Sequence, residues 1–405
     1  MRVLSETRTA NILALLLPLA VAATFSLHSL QKGQAIKQFE AYSIAESLAL
    51  APLGVLSTTI PCDGKTPWTL EPPVFHELGA LGIRLWPDFP AAAPLAIYLL
   101  LLGGIFRLSS HLMREPKQRV LFVWLVALTP AFCRYSIQFV PDVLAAALLL
   151  GSVNFFLVAR SRRGFALLSL AVLTKVLIFP AVPFILYWRS LELENGSARI
   201  SKRRAAFCAV VQSTFVVLPF LAWVLIVGLS RANNVLQSQG MIHNYLLEGW
   251  GQLLEPGIYA RFFTWIVVQG TGLVLFAFAA FSIFKRTQAG SNVRLLKLWI
   301  LGLLPFWIFV RQGNRVHDYY SLSYILPLSV LGARALVTGE GFGLNRRVIK
   351  AALIGASLAL GILSLAGQDP VPMGPGQIRP HFCGSEMRRI SPALKAAPGL
   401  ELREL

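Results

Sequence analysis

The ionisable residues that interrupt apolar sequence fall into five short groups. The first is Lys37-Gln38-Phe39-Glu40-Ala41, where Phe39, Tyr42, Ala45 and Leu48 have helical spacing. Glu40 is either a solvated loop acid or a general base acting on a hydroxyl. The second is Thr69-Leu70-Glu71-Pro72-Pro73-Val74-Phe75-His76. Its prolines open a helix, which Glu71 either caps or precedes as an acid that places an acceptor. The third pairs Arg134 with Pro141-Asp142, an acid in a first helical turn that either caps the helix or orients a cationic donor group, a metal or an acceptor. The fourth is Leu173-Thr174-Lys175, a lysine between two short apolar segments that either snorkels or binds phosphate as a point charge. The fifth is Arg311, Arg315 and His317-Asp318-Tyr319-Tyr320, followed by Pro327. Two arginines and a histidine make an anion site, although the tyrosines also suit a membrane interface.

Acids and cations gathered on one face suit a lipid-linked phosphate donor meeting a hydroxyl acceptor. The acids would activate the acceptor, and Lys175 with the arginines would stabilise the departing phosphate. A sugar–phosphate bond is already activated, so such chemistry needs no ATP. The sequence has no Walker motif and no glycine-rich phosphate loop. Three acids near one pocket permit a divalent cation, but no ligand spacing requires one.

These groups need a membrane scaffold to position them. Hydrophobic residues make up 55% of the 405 and charged ones 14%, against about 25% charged in soluble domains. The apolar residues come in span-length blocks, and mean hydropathy is +0.62. The net charge of +18 comes from basic runs between those blocks, which argues for the positive-inside pattern and against nucleic acid as a partner. The expected fold is all-α, a polytopic integral membrane protein with about eleven transmembrane helices. Candidate spans are 10–28, 92–106, 119–133, 141–159, 164–175, 177–188, 206–228, 262–284, 298–310, 320–338 and 350–366.

Arg2 and Arg8 put the N-terminus in the cytoplasm before an uncleaved first span. Residues 29–91 then form a long outer loop, with an apolar helix from Leu78 to Trp86 lying on the membrane. Inside segments carry Arg107, Arg114 and Arg119, then Arg160 and Arg163, then Arg189 to Arg204, then Lys285 to Lys297, then Arg346 to Lys350. All five polar groups map to the outer face. The expected domains are a transmembrane unit, 1–366, and a short outer tail, 367–405, rich in proline. Cys62 and Cys383 both fall outside the membrane, where they can pair or remain thiols.

At these residues the sequence resembles the GT-C superfamily of polyprenyl-phosphate-sugar-dependent glycosyltransferases. The most similar group is that of the protein mannosyltransferases and lipid A aminoarabinose transferases. The motifs that carry the resemblance run in order over about residues 8–335: Lys37-Gln38-Phe39-Glu40-Ala41, Glu71-Pro72-Pro73, Pro141-Asp142, Leu173-Thr174-Lys175, and His317-Asp318-Tyr319-Tyr320 with Pro327. Two departures stand out. The family's first-loop motif is usually Asp-Glu or a lone Asp, whereas Phe39 precedes Glu40 here. The soluble outer domain of larger members is replaced by the short tail.

The resemblance implies a GT-C-like fold with amphipathic helices in the first loop. It also implies sugar transfer from a polyprenyl-phosphate donor, across the outer face of a bacterial inner membrane, to a glycan, lipid or protein. Glu40 would be the base, and Glu71 and Asp142 would place the acceptor or an ion. Lys175, Arg311, His317 and Tyr320 would meet the donor phosphate. His243, Trp250 and Arg261 would belong to a cover over the site. Two other readings stay open: a lipid-linked sugar flippase or transporter, which should carry polar residues through the midplane, and an inactive subunit of an envelope assembly, which Phe39 favours.

Overall fold

The computed structural model describes residues 9–21, 41, 44–45, 48–49, 72–86, 89–135, 140–192, 201–229, 256–285, 291–309, 322–339 and 347–366. Among these residues the chain is helical, with no strand. Helix α1 (Thr9–Val21) packs beside α3 (Phe89–Leu112) and α4 (Pro116–Ala127). There the indole of Trp124 donates to the carbonyl of Leu13 at 3.0 Å. Helix α2 (Val74–Leu85) starts directly after Pro72-Pro73, as the prolines demand. It buries Phe75, Gly79, Ala80 and Gly82, and exposes Leu78, Leu81, Leu85 and Trp86. An apolar outer stripe on such a helix suits the boundary of a bilayer. Arg84 reaches back from α2 to the carbonyls of Leu48 and Ala49, at 2.6 and 3.1 Å. In that preceding segment Ala45 and Leu48 face inward as expected, joined by Ala41 and Ile44; Phe39 and Tyr42 lie outside the described residues.

The centre is built from α6 (Pro141–Leu157) and α13 (Leu322–Thr338), buried along most of their lengths. Helix α6 packs against α3 and α7 (Ser161–Thr174). Helix α13 packs against α4, α11 (Leu273–Phe284) and α12 (Ser291–Phe309). A 3-10 turn (Val176–Ala181) joins α7 to α8 (Val182–Glu192). Helix α9 (Lys202–Leu229) lies at the edge, with Ala205, Ala209 and Ser213 turned inward and Phe207, Phe215 and Leu225 exposed. Small residues inside and large apolar ones outside reverse the pattern of a water-soluble bundle and suit a hydrocarbon surround. Helix α14 (Arg347–Ala366) packs on α5 (Pro130–Tyr135) and α11.

Two of the expected spans need revision, and the count rests on shorter helices. Among the described residues only Ala93–Leu112 and Lys202–Ile226 are individually long and apolar enough to cross a bilayer, and a bent pair makes a third. The expected eleven spans are therefore not established by helix length. Residues 262–284 are not one straight span. Helix α10 (Pro256–Phe263) runs into a π turn (Thr264–Thr271), and the chain bends by 113° before α11. Gly272 makes the bend with φ 77°, a conformation side chains resist. Thr271 Oγ1 donates to the carbonyl of Ile266 at 2.8 Å, satisfying one group that the wide turn frees. The segment 119–133 also breaks, because α4 ends at Ala127 and Pro130 begins α5. These two breaks meet: a Cβ placed on Gly272 would lie 3.8 Å from Pro130.

Helices α11 and α13 approach each other closely at Gly332. A Cβ on Gly332 would come within 2.1 Å of the Leu275 carbonyl oxygen, whereas one on Gly355 of α14 would meet nothing within 4 Å. Gly332→Ala should therefore separate two helices and destabilise the fold by about 1–3 kcal/mol. Gly355→Ala should be neutral or mildly stabilising. Thermal unfolding in detergent reads both, and equal melting temperatures for the two variants would contradict this packing.

Candidate active site

The connection between α6 and α7 is three residues long, Val158 to Arg160, with Ala159 at φ 57°. So short a link makes the two helices an antiparallel hairpin. Gly164 lets them close: a Cβ there would sit 2.4 Å from the Phe156 ring. Ser152 Oγ donates across the hairpin to the carbonyl of Gly164 at 2.7 Å. Asn154 ties the hairpin to α3 through the carbonyl of Gly104 at 2.9 Å. Helix α6 has 17 residues and α7 has 14, and the first turn of α6 meets the residue just beyond the end of α7.

That end of the hairpin carries two charges. Asp142 follows Pro141 in the first turn of α6, after an extended Val140. Lys175 ends α7 with φ −153° and ψ 106°. Its N–H donates to the carbonyl of Ala171 at 2.9 Å, and its own carbonyl accepts from Ile178 at 3.2 Å. The lysine is thus held between the helix and the 3-10 turn. Lys175 Nζ lies 3.9 Å from Asp142 Oδ2, with the side chains only 3% and 5% exposed. This distance is within ionic range but beyond hydrogen bonding. Each charge also sits at the favourable pole of its helix, the carboxylate at an N-terminus and the ammonium at a C-terminus. Burying both still carries a desolvation penalty of several kcal/mol, so the pair calls for a function.

Of the expected site residues, the structure brings together Asp142 and Lys175, from the third and fourth groups. Arg134, also of the third group, precedes them on α5, its guanidinium 5.3 Å from the ring of the buried Tyr135. Glu40, Glu71, His243, Trp250, Arg311, His317 and Tyr320 lie outside the described residues. So do Cys62 and Cys383, while Cys133 and Cys208 are free thiols. Arg261 lies on α10, of which only the backbone is described there. Among the described residues no three His, Cys, Asp or Glu gather as metal ligands.

The far end of the hairpin holds a buried arginine that the sequence marks only as a basic loop residue. The Arg189 guanidinium lies 4.6 Å from the Phe165 ring and 5.4 Å from that of Phe156, and Nη1 donates to Gln212 Oε1 at 3.1 Å. Its neighbours come from three other helices, so no sequence spacing reveals the cluster. It fastens α8 to the hairpin and to α9.

No family model matches the sequence, and no curated protein matches it. Solved structures do. The chain aligns with ArnT from Cupriavidus metallidurans bound to undecaprenyl phosphate at a TM-score of 0.56 and 17% identity, over 79% of this chain and 59% of that one. It aligns with ArnT from the same organism in the apo state at a TM-score of 0.56 and 15% identity, over 86% of this chain and 74% of that one. The chain thus shares the fold of ArnT and spans about three fifths of the ArnT chain in the lipid-bound form.

Removing one charge of a buried pair strands the other. Lys175→Met and Asp142→Asn should each destabilise the protein by about 3 kcal/mol. The double variant should lose less than the sum of the two, by about 1 kcal/mol or more. Strict additivity in denaturant or thermal unfolding would mean that the two groups do not interact.

Proposed function

We propose that this chain is a membrane glycosyltransferase that moves a sugar from a polyprenyl-phosphate donor to an acceptor outside the cytoplasm. The observation that carries the reading is the buried Asp142–Lys175 pair, formed by two of the ordered motifs within a GT-C fold. A solved structure of that fold holds undecaprenyl phosphate, the lipid such a reaction releases.

The chemistry follows from the charges. Lys175 offers a point charge to the donor phosphate, and the transferred sugar leaves that phosphate with one more negative charge to stabilise. A phosphate oxygen can join the carboxylate around the ammonium, which carries three donors. Asp142 keeps the lysine aimed while the site is empty. Arg311, His317 and Tyr320 complete the donor site in this reading, and Glu40 deprotonates the acceptor hydroxyl as it attacks the sugar. Glu71 helps place the acceptor, and the segment with His243, Trp250 and Arg261 covers the site. The acceptor is a glycan, lipid or protein. The site opens to the periplasm or exterior of a bacterial inner membrane, with the N-terminus in the cytoplasm.

Glu40→Gln should lower transfer of labelled sugar in membranes by about 10²–10⁴-fold, with expression and donor binding retained. Full activity would place the base elsewhere. Lys175→Ala should weaken undecaprenyl phosphate binding by about tenfold or more, measured on the folded fraction. An unchanged affinity would remove Lys175 from the donor site.

A further inference from the structure

The end of the hairpin away from Asp142 and Lys175 gathers charge of one sign. Phe155, in the last turn of α6, has the guanidinium carbon of Arg107 at 5.4 Å from its ring centroid and that of Arg163 at 5.9 Å. Arg107 comes from α3 and Arg163 from the first turn of α7, and both are exposed. Neither has a carboxylate partner among the described residues. Attraction to the ring holds each cation but leaves their mutual repulsion in place.

Helix α7 adds to the imbalance. Arg160 at its N-cap makes no side-chain capping bond, and its first turn holds no acid. Arg160 and Arg163 therefore add charge at the positive pole of a 14-residue helix, where anions belong. The surface leading away from the arginines is apolar. Leu99 and Leu100 of α3 are 46% and 61% exposed, and a Cβ on Gly103 would meet nothing within 4 Å. Leu100, Gly103 and Arg107 follow one another on successive turns of α3, so an open apolar track ends at a cation pair.

We propose that Arg107, Arg163 and Phe155 form the headgroup site of an anionic membrane phospholipid. Its phosphate lies between the two guanidiniums and the first turn of α7, and an acyl chain lies along Leu100 and Gly103. Planar guanidiniums suit phosphate oxygens through paired hydrogen bonds, and the apolar track selects a lipid over free phosphate. This site is independent of the transferase reading, being at the other end of α6 and α7.

The test uses the full chain, purified and stripped of lipid, titrated with phosphatidylglycerol or phosphatidylcholine of the same acyl chains. Native mass spectrometry reads bound lipid. Wild type should prefer phosphatidylglycerol. Arg107→Gln with Arg163→Gln should weaken its binding by about tenfold or more. Phe155→Leu, which keeps every charge, should weaken it several-fold. Arg162→Gln, on the same helix but off the ring, should change it by less than about twofold. Millimolar inorganic phosphate should not displace the lipid. Equal binding by the double variant, an equal loss in Arg162→Gln, equal binding of phosphatidylcholine, or displacement by inorganic phosphate would each overturn the assignment. The altered side chains are exposed or at a helix end, and elution as a single folded species confirms that each variant can be compared.

Discussion

A carboxylate and an ammonium held together out of water, at the open end of a helical hairpin, set the terms for the rest of this molecule. The arrangement works only if α6 and α7 are seated without slippage. One residue of shift along either helix would turn Asp142 or Lys175 to another face. The remaining contacts of the hairpin serve that register. Gly164 removes the side chain that would hold the helices apart, Ser152 ties them across, and Asn154 fixes them to α3. Arg189, stacked on Phe156 and Phe165, secures the opposite end. The hairpin is thereby clamped where its chain turns and charged where it opens.

Hydropathy made most helices legible. Expected spans 141–159, 206–228 and 350–366 correspond to Pro141–Leu157, Lys202–Leu229 and Arg347–Ala366. The short segments on either side of Lys175 emerged as α7 and the 3-10 turn with α8, because a single charge marked the boundary. The bend at Gly272 was not legible. Hydropathy sums the transfer of side chains into hydrocarbon, and the run from Thr264 to Phe284 holds no ionisable residue. Only backbone geometry distinguishes a π turn and a left-handed glycine from a continuous span. Pro130 did signal a break, but the apolar residues around it masked the signal.

Within the site, Asp142 and Lys175 were legible singly, since ionisable residues in apolar surroundings are rare and expensive. Their partnership was not. It follows from a three-residue turn that folds α7 back along α6, which a hydropathy profile does not weigh. The Arg107–Phe155–Arg163 cluster was further from view. Its arginines read as markers of the cytoplasmic side, and their convergence on one ring depends on how α3, α6 and α7 pack. One hairpin therefore presents two chemistries, a neutralised pair at one end and an excess of positive charge at the other.

The most direct test of the central claim is to map where a polyprenyl phosphate bearing a photoreactive group beside its phosphate attaches to the wild-type chain. Peptide sequencing after irradiation should find the label on the segments around Asp142 and Lys175. Label confined to the connection between α6 and α7, or spread evenly over the apolar surface, would contradict a donor site at the buried pair.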